Sequence, residues 1–180
     1  MKTINIRTII ALFLLMTFSI IGNAQTEEEK ATIIKIGQQV PQFSFTDANG
    51  QQKSIADLKG QVVLINFFAT WCGPCLKELP HVQNEIFVPY RDNSDFTLLV
   101  IGREHSAAEL KTFKETKGKN LEFELIADPE RKIYSKFAQQ FIPRNFLIDR
   151  EGKIIYSSIG FQQEEFQKLK DTLETLLKEK

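Results

Sequence analysis

The chain has 180 residues, 42% hydrophobic and 26% charged, with nine Gly and six Pro; this balance excludes collagenous, low-complexity or disordered polypeptide and predicts one compact domain. Lys plus Arg and Asp plus Glu both total 23, so no basic field favours nucleic acid and no acidic excess suggests a solvating tail. Two cysteines, Cys72 and Cys75, leave no partner for a structural disulfide elsewhere in the fold.

Lys2 and Arg7 precede an uncharged run from Thr8 to Ile21, and Gly22-Asn23-Ala24 then supplies small residues, the order of a secretory signal cleaved after Ala24. The run is shorter than the roughly 20 residues of a membrane span; an uncleaved anchor is the alternative. Removing residues 1–24 leaves 21 basic residues against 23 acidic, a mildly acidic exported protein with no cysteine near the cleavage point for lipid attachment. Residues 25–39 lack a period and read as a solvated leader, which places the domain at 40–180.

Phe43-Ser44-Phe45-Thr46 alternates, Asp47-Ala48-Asn49-Gly50 turns, and Gln51 to Ile55 returns, which predicts an N-terminal hairpin. Val62 to Phe68 is apolar except for Asn66, as in a strand buried on both faces. From Pro74, Cys75, Leu79, Val82 and Ile86 mark one helical face; Pro80 predicts a kink and Pro89 an end. Phe96 to Ile101 reads as a second buried strand, followed by a capping box at Ser106 to Glu109 and a helix to about Thr116. Leu121 to Ile126 reads as a short strand, and Asp128-Pro129 as the cap and first turn of a helix to Phe137. Arg144 to Ile148 and Lys153 to Ser157 flank a turn, and Phe166, Leu169, Leu173, Leu176 and Leu177 mark a C-terminal helix. The pattern predicts an α/β fold, a mixed central sheet with helices on both faces, and 13 of the 15 Phe remain outside residues 1–24 to fill its core.

Trp71-Cys72-Gly73-Pro74-Cys75 follows a buried strand and opens a helix. There Cys72 gains free backbone amides and the positive end of the helix, which favour a thiolate, and Cys75 one turn later is poised to resolve a mixed disulfide. The only histidines, His81 and His105, are not at zinc-finger spacing, so a metal site is not expected. Outside the cytosol such a pair is oxidised unless a donor keeps reducing it.

Asn66-Phe67-Phe68-Ala69-Thr70-Trp71-Cys72-Gly73-Pro74-Cys75, then Lys77-Glu78-Leu79-Pro80, and Ile142-Pro143-Arg144-Asn145-Phe146-Leu147-Ile148-Asp149 resemble the secreted thioredoxin-like thiol-disulfide oxidoreductases of the TlpA/ResA type, over roughly Val40 to Leu177. The resemblance implies a thioredoxin-like fold with an N-terminal β-hairpin and an αβ insertion, whose second part fits Asp128 to Gln140. It implies that Pro143 is a cis-proline facing the cysteines, that Ile142 pairs with an extended substrate, and that Trp71, Gly73 and Pro74 border the substrate. Thioredoxins carry a buried acid where this chain has Asn66; Glu78 is the replacement, a proton acceptor turned under the site. No cofactor beyond the redox-active Cys72–Cys75 pair is implied. Partners would be disulfide-containing exported proteins, apocytochromes among them, and a membrane electron donor of the DsbD type, with the protein itself a monomer.

Gly73-Pro74 and Ile142 resemble thioredoxin's own choices and point to a disulfide reductase of the periplasm; a net oxidant and a copper-delivery module are the alternatives. A peroxidase would want Thr three residues before the reactive cysteine, where this chain has Ala69. Arg103 and His105 follow a strand parallel to the catalytic one, at the edge where α/β sites lie, and either could contact substrate. Arg144 reads as solvated charge or a preference for acidic substrates, and His81 as surface filler.

Overall fold

The computed structural model describes residues 26–47 and 49–179. The segment 1–24, expected to be a secretory signal, lies outside the described residues. Among them, no helix is long and apolar enough to cross a membrane.

Strands β1 (Ser44–Thr46) and β2 (Gln52–Ser54) form the expected antiparallel hairpin. The main sheet has β3 (Val62–Phe68), β4 (Phe96–Arg103), β5 (Leu125–Asp128), β6 (Arg144–Ile148) and β7 (Ile154–Ile159), in the order β5-β4-β3-β6-β7. Strands β3, β4 and β5 run parallel, and β6 and β7 continue antiparallel, giving a mixed sheet with β3 at its centre.

The apolar run of β3 is continuous because both of its faces are covered. Val62, Leu64 and Phe68 join a cluster with Leu79, Val82 and Ile86, while Val63, Ile65 and Phe67 join Phe43, Phe45, Tyr134 and Phe137 on the other side. Phe67 alone has the rings of Tyr134, Phe137 and Phe146 within 5.2 to 6.2 Å. Burying each such ring contributes roughly 1.5–3 kcal/mol, so the phenylalanines account for much of the core. Asn66 falls on the same face as Leu64 and Phe68 because strand side chains alternate, and that face meets the helix after the cysteines.

Helix α1 (Glu27–Lys30) is short and carries a capping box from Thr26. Helix α2 (Gly73–His81) contains Pro80 and runs into a π-helical stretch, Val82–Phe87, then a last turn, Val88–Tyr90. After Pro80, where a kink is expected, the ladder widens, and Val88 N–H reaches back to the Gln83 carbonyl. Pro89 does not end the helix; it enters the first turn of the resumed segment, where its missing N–H costs little. Helix α3 (Ala107–Glu115) has the predicted Ser106 and Glu109 capping box. Helix α5 (Gln163–Lys178) buries Phe166, Leu169 and Leu173.

Three further expectations shift. Strand β5 is later than Leu121 to Ile126, at Leu125–Asp128, since only these residues pair with β4. The helix expected from Pro129 shrinks to α4 (Tyr134–Phe137), and Asp128 caps it across a loop, its buried carboxylate accepting from the Ile133 and Tyr134 amides at 2.8 to 3.2 Å. Within the expected solvated leader, residues 31–39 are docked: Ile33 N–H donates to Phe137 O, Gln139 N–H to Ala31 O, and bridges link Thr32 with Ala138 and Gln39 with Lys153.

Candidate active site

The end of β3 delivers Ala69 and Thr70, and a turn closed by Cys72 N–H on Ala69 O at 3.1 Å brings Cys72 to the N-cap of α2. Cys72 and Cys75 are joined in a disulfide. The Cys75 amide lies 3.2 Å from Cys72 Sγ, so the first turn of α2 presents a donor to this sulfur. Pro74 occupies the first turn, where no amide partner is lost. Cys75 is fully buried, whereas Cys72 keeps slight exposure, so an incoming sulfur meets Cys72 first.

Trp71 is 62% exposed beside this disulfide, and Gly73 and Pro74 are exposed with it. The Ile142–Pro143 bond is cis. The Ile142 carbonyl oxygen lies 3.7 Å from Cys72 Sγ; a disulfide sulfur has no proton to donate, so this is a contact that becomes a weak hydrogen bond only in the thiol. The predicted residues Trp71, Cys72, Gly73, Pro74, Cys75, Ile142 and Pro143 thus meet at the C-terminal end of β3 and the start of β6.

Glu78 is 1% exposed. Its Oε2 accepts from Asn66 Nδ2 at 2.8 Å and its Oε1 from Asn145 Nδ2 at 2.7 Å, while Asn66 Nδ2 also donates to Asn145 Oδ1 at 2.8 Å. Burial pushes the Glu78 carboxyl up to about 7; the two amide donors and the charge of His81 oppose this without cancelling it. Asn145 was not a predicted site residue. Its only signal in the sequence is a second amide in a buried strand, which becomes meaningful once β6 is paired with β3.

Arg144 is neither solvated nor available to substrate. It is 1% exposed, with Nε donating to the Gln140 and Phe141 carbonyls and Nη1 to Thr32 Oγ1, so it braces the chain just before the cis-proline and ties it to the docked leader. His81 is more than surface filler: Nδ1 lies 2.6 Å from Glu85 Oε1 and its ring packs near Phe161 and Phe166. The Arg103 guanidinium sits 5.9 Å from the Trp71 ring and 4.8 Å from that of Tyr134. His105 is buried, with Nε2 accepting from the Thr70 amide at 3.0 Å, so it faces the catalytic turn from within rather than from solvent.

The arrangement supports dithiol–disulfide exchange. A Cys72 thiolate attacks one sulfur of a substrate disulfide and displaces the other as a thiolate; Cys75 then attacks Cys72, closes the internal disulfide and releases the second substrate sulfur. The substrate gains two electrons and the protein loses them; the reverse sequence oxidises a dithiol.

The sequence profile described as the AhpC/TSA family matches residues 36–157. The chain is 33% identical over 132 residues to the thiol-disulfide oxidoreductase ResA of Bacillus thuringiensis strain Al Hakam, covering 73% of this chain and 74% of that one. It is 30% identical over 131 residues to ResA of Bacillus subtilis strain 168, covering 73% and 71%. Among solved structures, a candidate protein disulfide isomerase from Bacteroides thetaiotaomicron matches with a TM-score of 0.78 and 36% identity, covering 83% of this chain and 94% of that one. The exposed lipoprotein thioredoxin Etrx1 of Streptococcus pneumoniae matches with a TM-score of 0.60 and 27% identity, covering 76% and 98%. With its cysteine pair at the head of α2, the chain belongs to the AhpC/TSA family and is a thiol-disulfide oxidoreductase of thioredoxin-like fold.

Proposed function

We propose that the protein works outside the cytoplasm as a disulfide reductase, exported by residues 1–24 with cleavage after Ala24. Its substrates are disulfides of other exported proteins, and a membrane dithiol donor of the DsbD type returns the electrons. The protein acts as a monomer and needs no cofactor beyond Cys72 and Cys75. The observation that supports exchange is the pairing of an outer Cys72 with a sealed Cys75 one turn from Glu78, whose carboxyl is held near neutrality, and the reductive direction is supported by Gly73-Pro74 and Ile142, which resemble thioredoxin's own choices. Cys75 is less favoured by the helix terminus than Cys72, so it needs a base before it can release a mixed disulfide, and Glu78 is placed on its helix to serve. Ile142 offers its backbone to an extended substrate, Pro143 keeps an amide donor away from the sulfurs, and Trp71, Gly73 and Pro74 border the approach.

Trp71 is the only tryptophan and adjoins Cys72, so its fluorescence follows the disulfide during titration with dithiothreitol or glutathione. The expected potential lies near that of thioredoxin, about −270 mV; a value near the oxidant DsbA, about −120 mV, would reverse the assigned direction and leave the site intact. Cys75→Ala, expressed with its signal, is expected to accumulate mixed disulfides through Cys72 with exported proteins. A reactive Cys72 that captures none would count against exchange with proteins.

A further inference from the structure

We propose that His105 is a positioning residue for the nucleophile. The four-residue turn from Ala69 to Cys72 satisfies its closing amide internally but offers no acceptor to the amide of its second residue, Thr70. His105 Nε2 is that acceptor at 3.0 Å, and Thr70 Oγ1 lies 3.4 Å from the same nitrogen. One imidazole therefore holds the strand-to-helix corner two residues before Cys72.

Two local costs are borne to bring the imidazole there. A second tight turn, His105 N–H on Gly102 O at 3.2 Å, aims the ring inward, and Glu104 within it sits at φ 66°, a region that non-glycine residues avoid. Gly102 leaves room for Leu110, whose side chain would have to shift if a Cβ stood there, at 2.6 Å from its Cδ2. Accepting a bond at Nε2 puts the ring proton on Nδ1, and Nδ1 is buried without a partner among the described residues. A ring kept only for packing would need neither the strained neighbour nor the unpartnered donor, because an apolar side chain fills space without them.

The consequence reaches Cys72 through the turn. Holding the Thr70 amide fixes the approach to α2 and so keeps Cys72 Sγ 3.2 Å from the Cys75 amide, the donor that stabilises negative charge on the sulfur. Releasing Thr70 weakens that stabilisation, lowers the reactivity of Cys72 and makes the pair more reducing. The proposal rests on exchange at Cys72 and is independent of its net direction.

The test compares His105→Leu, which has no acceptor, with His105→Gln, whose Oε1 can accept the same amide. In the full reduced chain, Leu is expected to slow iodoacetamide alkylation of Cys72 about fivefold, the effect of losing one hydrogen bond. It should shift the glutathione equilibrium by the same factor, about 20 mV more negative for a two-electron couple, with unchanged circular dichroism. Gln should restore both to within about twofold. Unaltered alkylation and potential in the Leu variant, or a folded Gln variant that restores neither, would overturn the proposal. Should Leu not fold, nitrogen-15 shifts of the wild-type imidazole decide: a proton on Nδ1 supports the proposal, and one on Nε2 overturns it. Wild-type Cys72 that alkylates normally but exchanges with no disulfide would sink the exchange reading alone.

Discussion

Asn145 Nδ2 donates to Glu78 Oε1 at 2.7 Å, and Asn145 is the residue that faces Asn66 across the pairing of β3 with β6. Two amides in register on adjacent strands thus close on one carboxyl from the helix above them. The group is buried yet not isolated: its donors favour the charged form, and desolvation favours the neutral one by more. The balance leaves a carboxyl that changes state within the ordinary working range of the cell, on the helix that carries Cys75 three residues earlier.

Glu78→Gln is expected to preserve the fold and the alkylation of Cys72 while slowing resolution of the mixed disulfide by roughly tenfold to a hundredfold. Asn66 cannot substitute, since an amide does not exchange a proton at these pH values. Stopped-flow reduction of a model disulfide, followed through Trp71 from about pH 6 to about pH 9, checks this. Resolution kinetics identical to wild type at every pH would remove Glu78 from the proton path.

The same substitution acts on stability in the opposite sense. A carboxyl raised from 4.5 to about 7 holds its proton in the folded state where the unfolded chain has released it. Folding stability therefore declines as pH rises through that interval and levels off above about 7. Glu78→Gln lacks this loss, although its Nε2 meets an Asn amide donor where the carboxylate accepted from one, which offsets part of the gain. Urea unfolding should show the variant more stable above neutrality, by up to roughly 3 kcal/mol, with the advantage shrinking toward pH 5. A constant difference at all pH values would contradict the raised carboxyl.

Asn145→Leu removes one of the two donors that pull the Glu78 carboxyl down. Burial then dominates further, and the pH midpoint of resolution should move upward, by about one unit. The pH profile of single-turnover exchange reads this directly. A downward shift would mean that Asn145 does not stabilise the charged form.

Asp128→Ala tests the insertion rather than the chemistry. It strips the Ile133 and Tyr134 amides of their shared acceptor at the start of α4, and both lie in buried surroundings. Thermal or urea unfolding should register a loss of about 1–2 kcal/mol, with Asp128→Asn losing less because one oxygen still accepts. Exchange rates at Cys72 should change little.

The strands and the nucleophile were legible because their signals are local. The β3 run, the Ser106 box and the cysteines at the head of a helix each declare themselves within a few residues. What escaped depends on distant partners. Arg144 reads as a surface charge until Thr32, 112 residues away, is found to accept from it. Asn145 carries no periodic signal, and its value appears only with Glu78, 67 residues earlier. Asp128 is a cap, as its type predicts, but of a later start, because its carboxylate reaches across a loop of five residues that spacing rules do not cover.

The docked leader has a bearing on assembly. Ala31 and Ile33 are held by Gln139 and Phe137, and Gln39 and Val40 by Lys153 and Gly152, so the opening of the described chain is secured by residues made more than a hundred positions later. A polypeptide emerging N-terminus first leaves this segment without a berth until α4 and the β6–β7 hairpin have appeared. Its closure is a late, long-loop event, of the kind that slows folding, while the hairpin and β3 can organise around nearer neighbours.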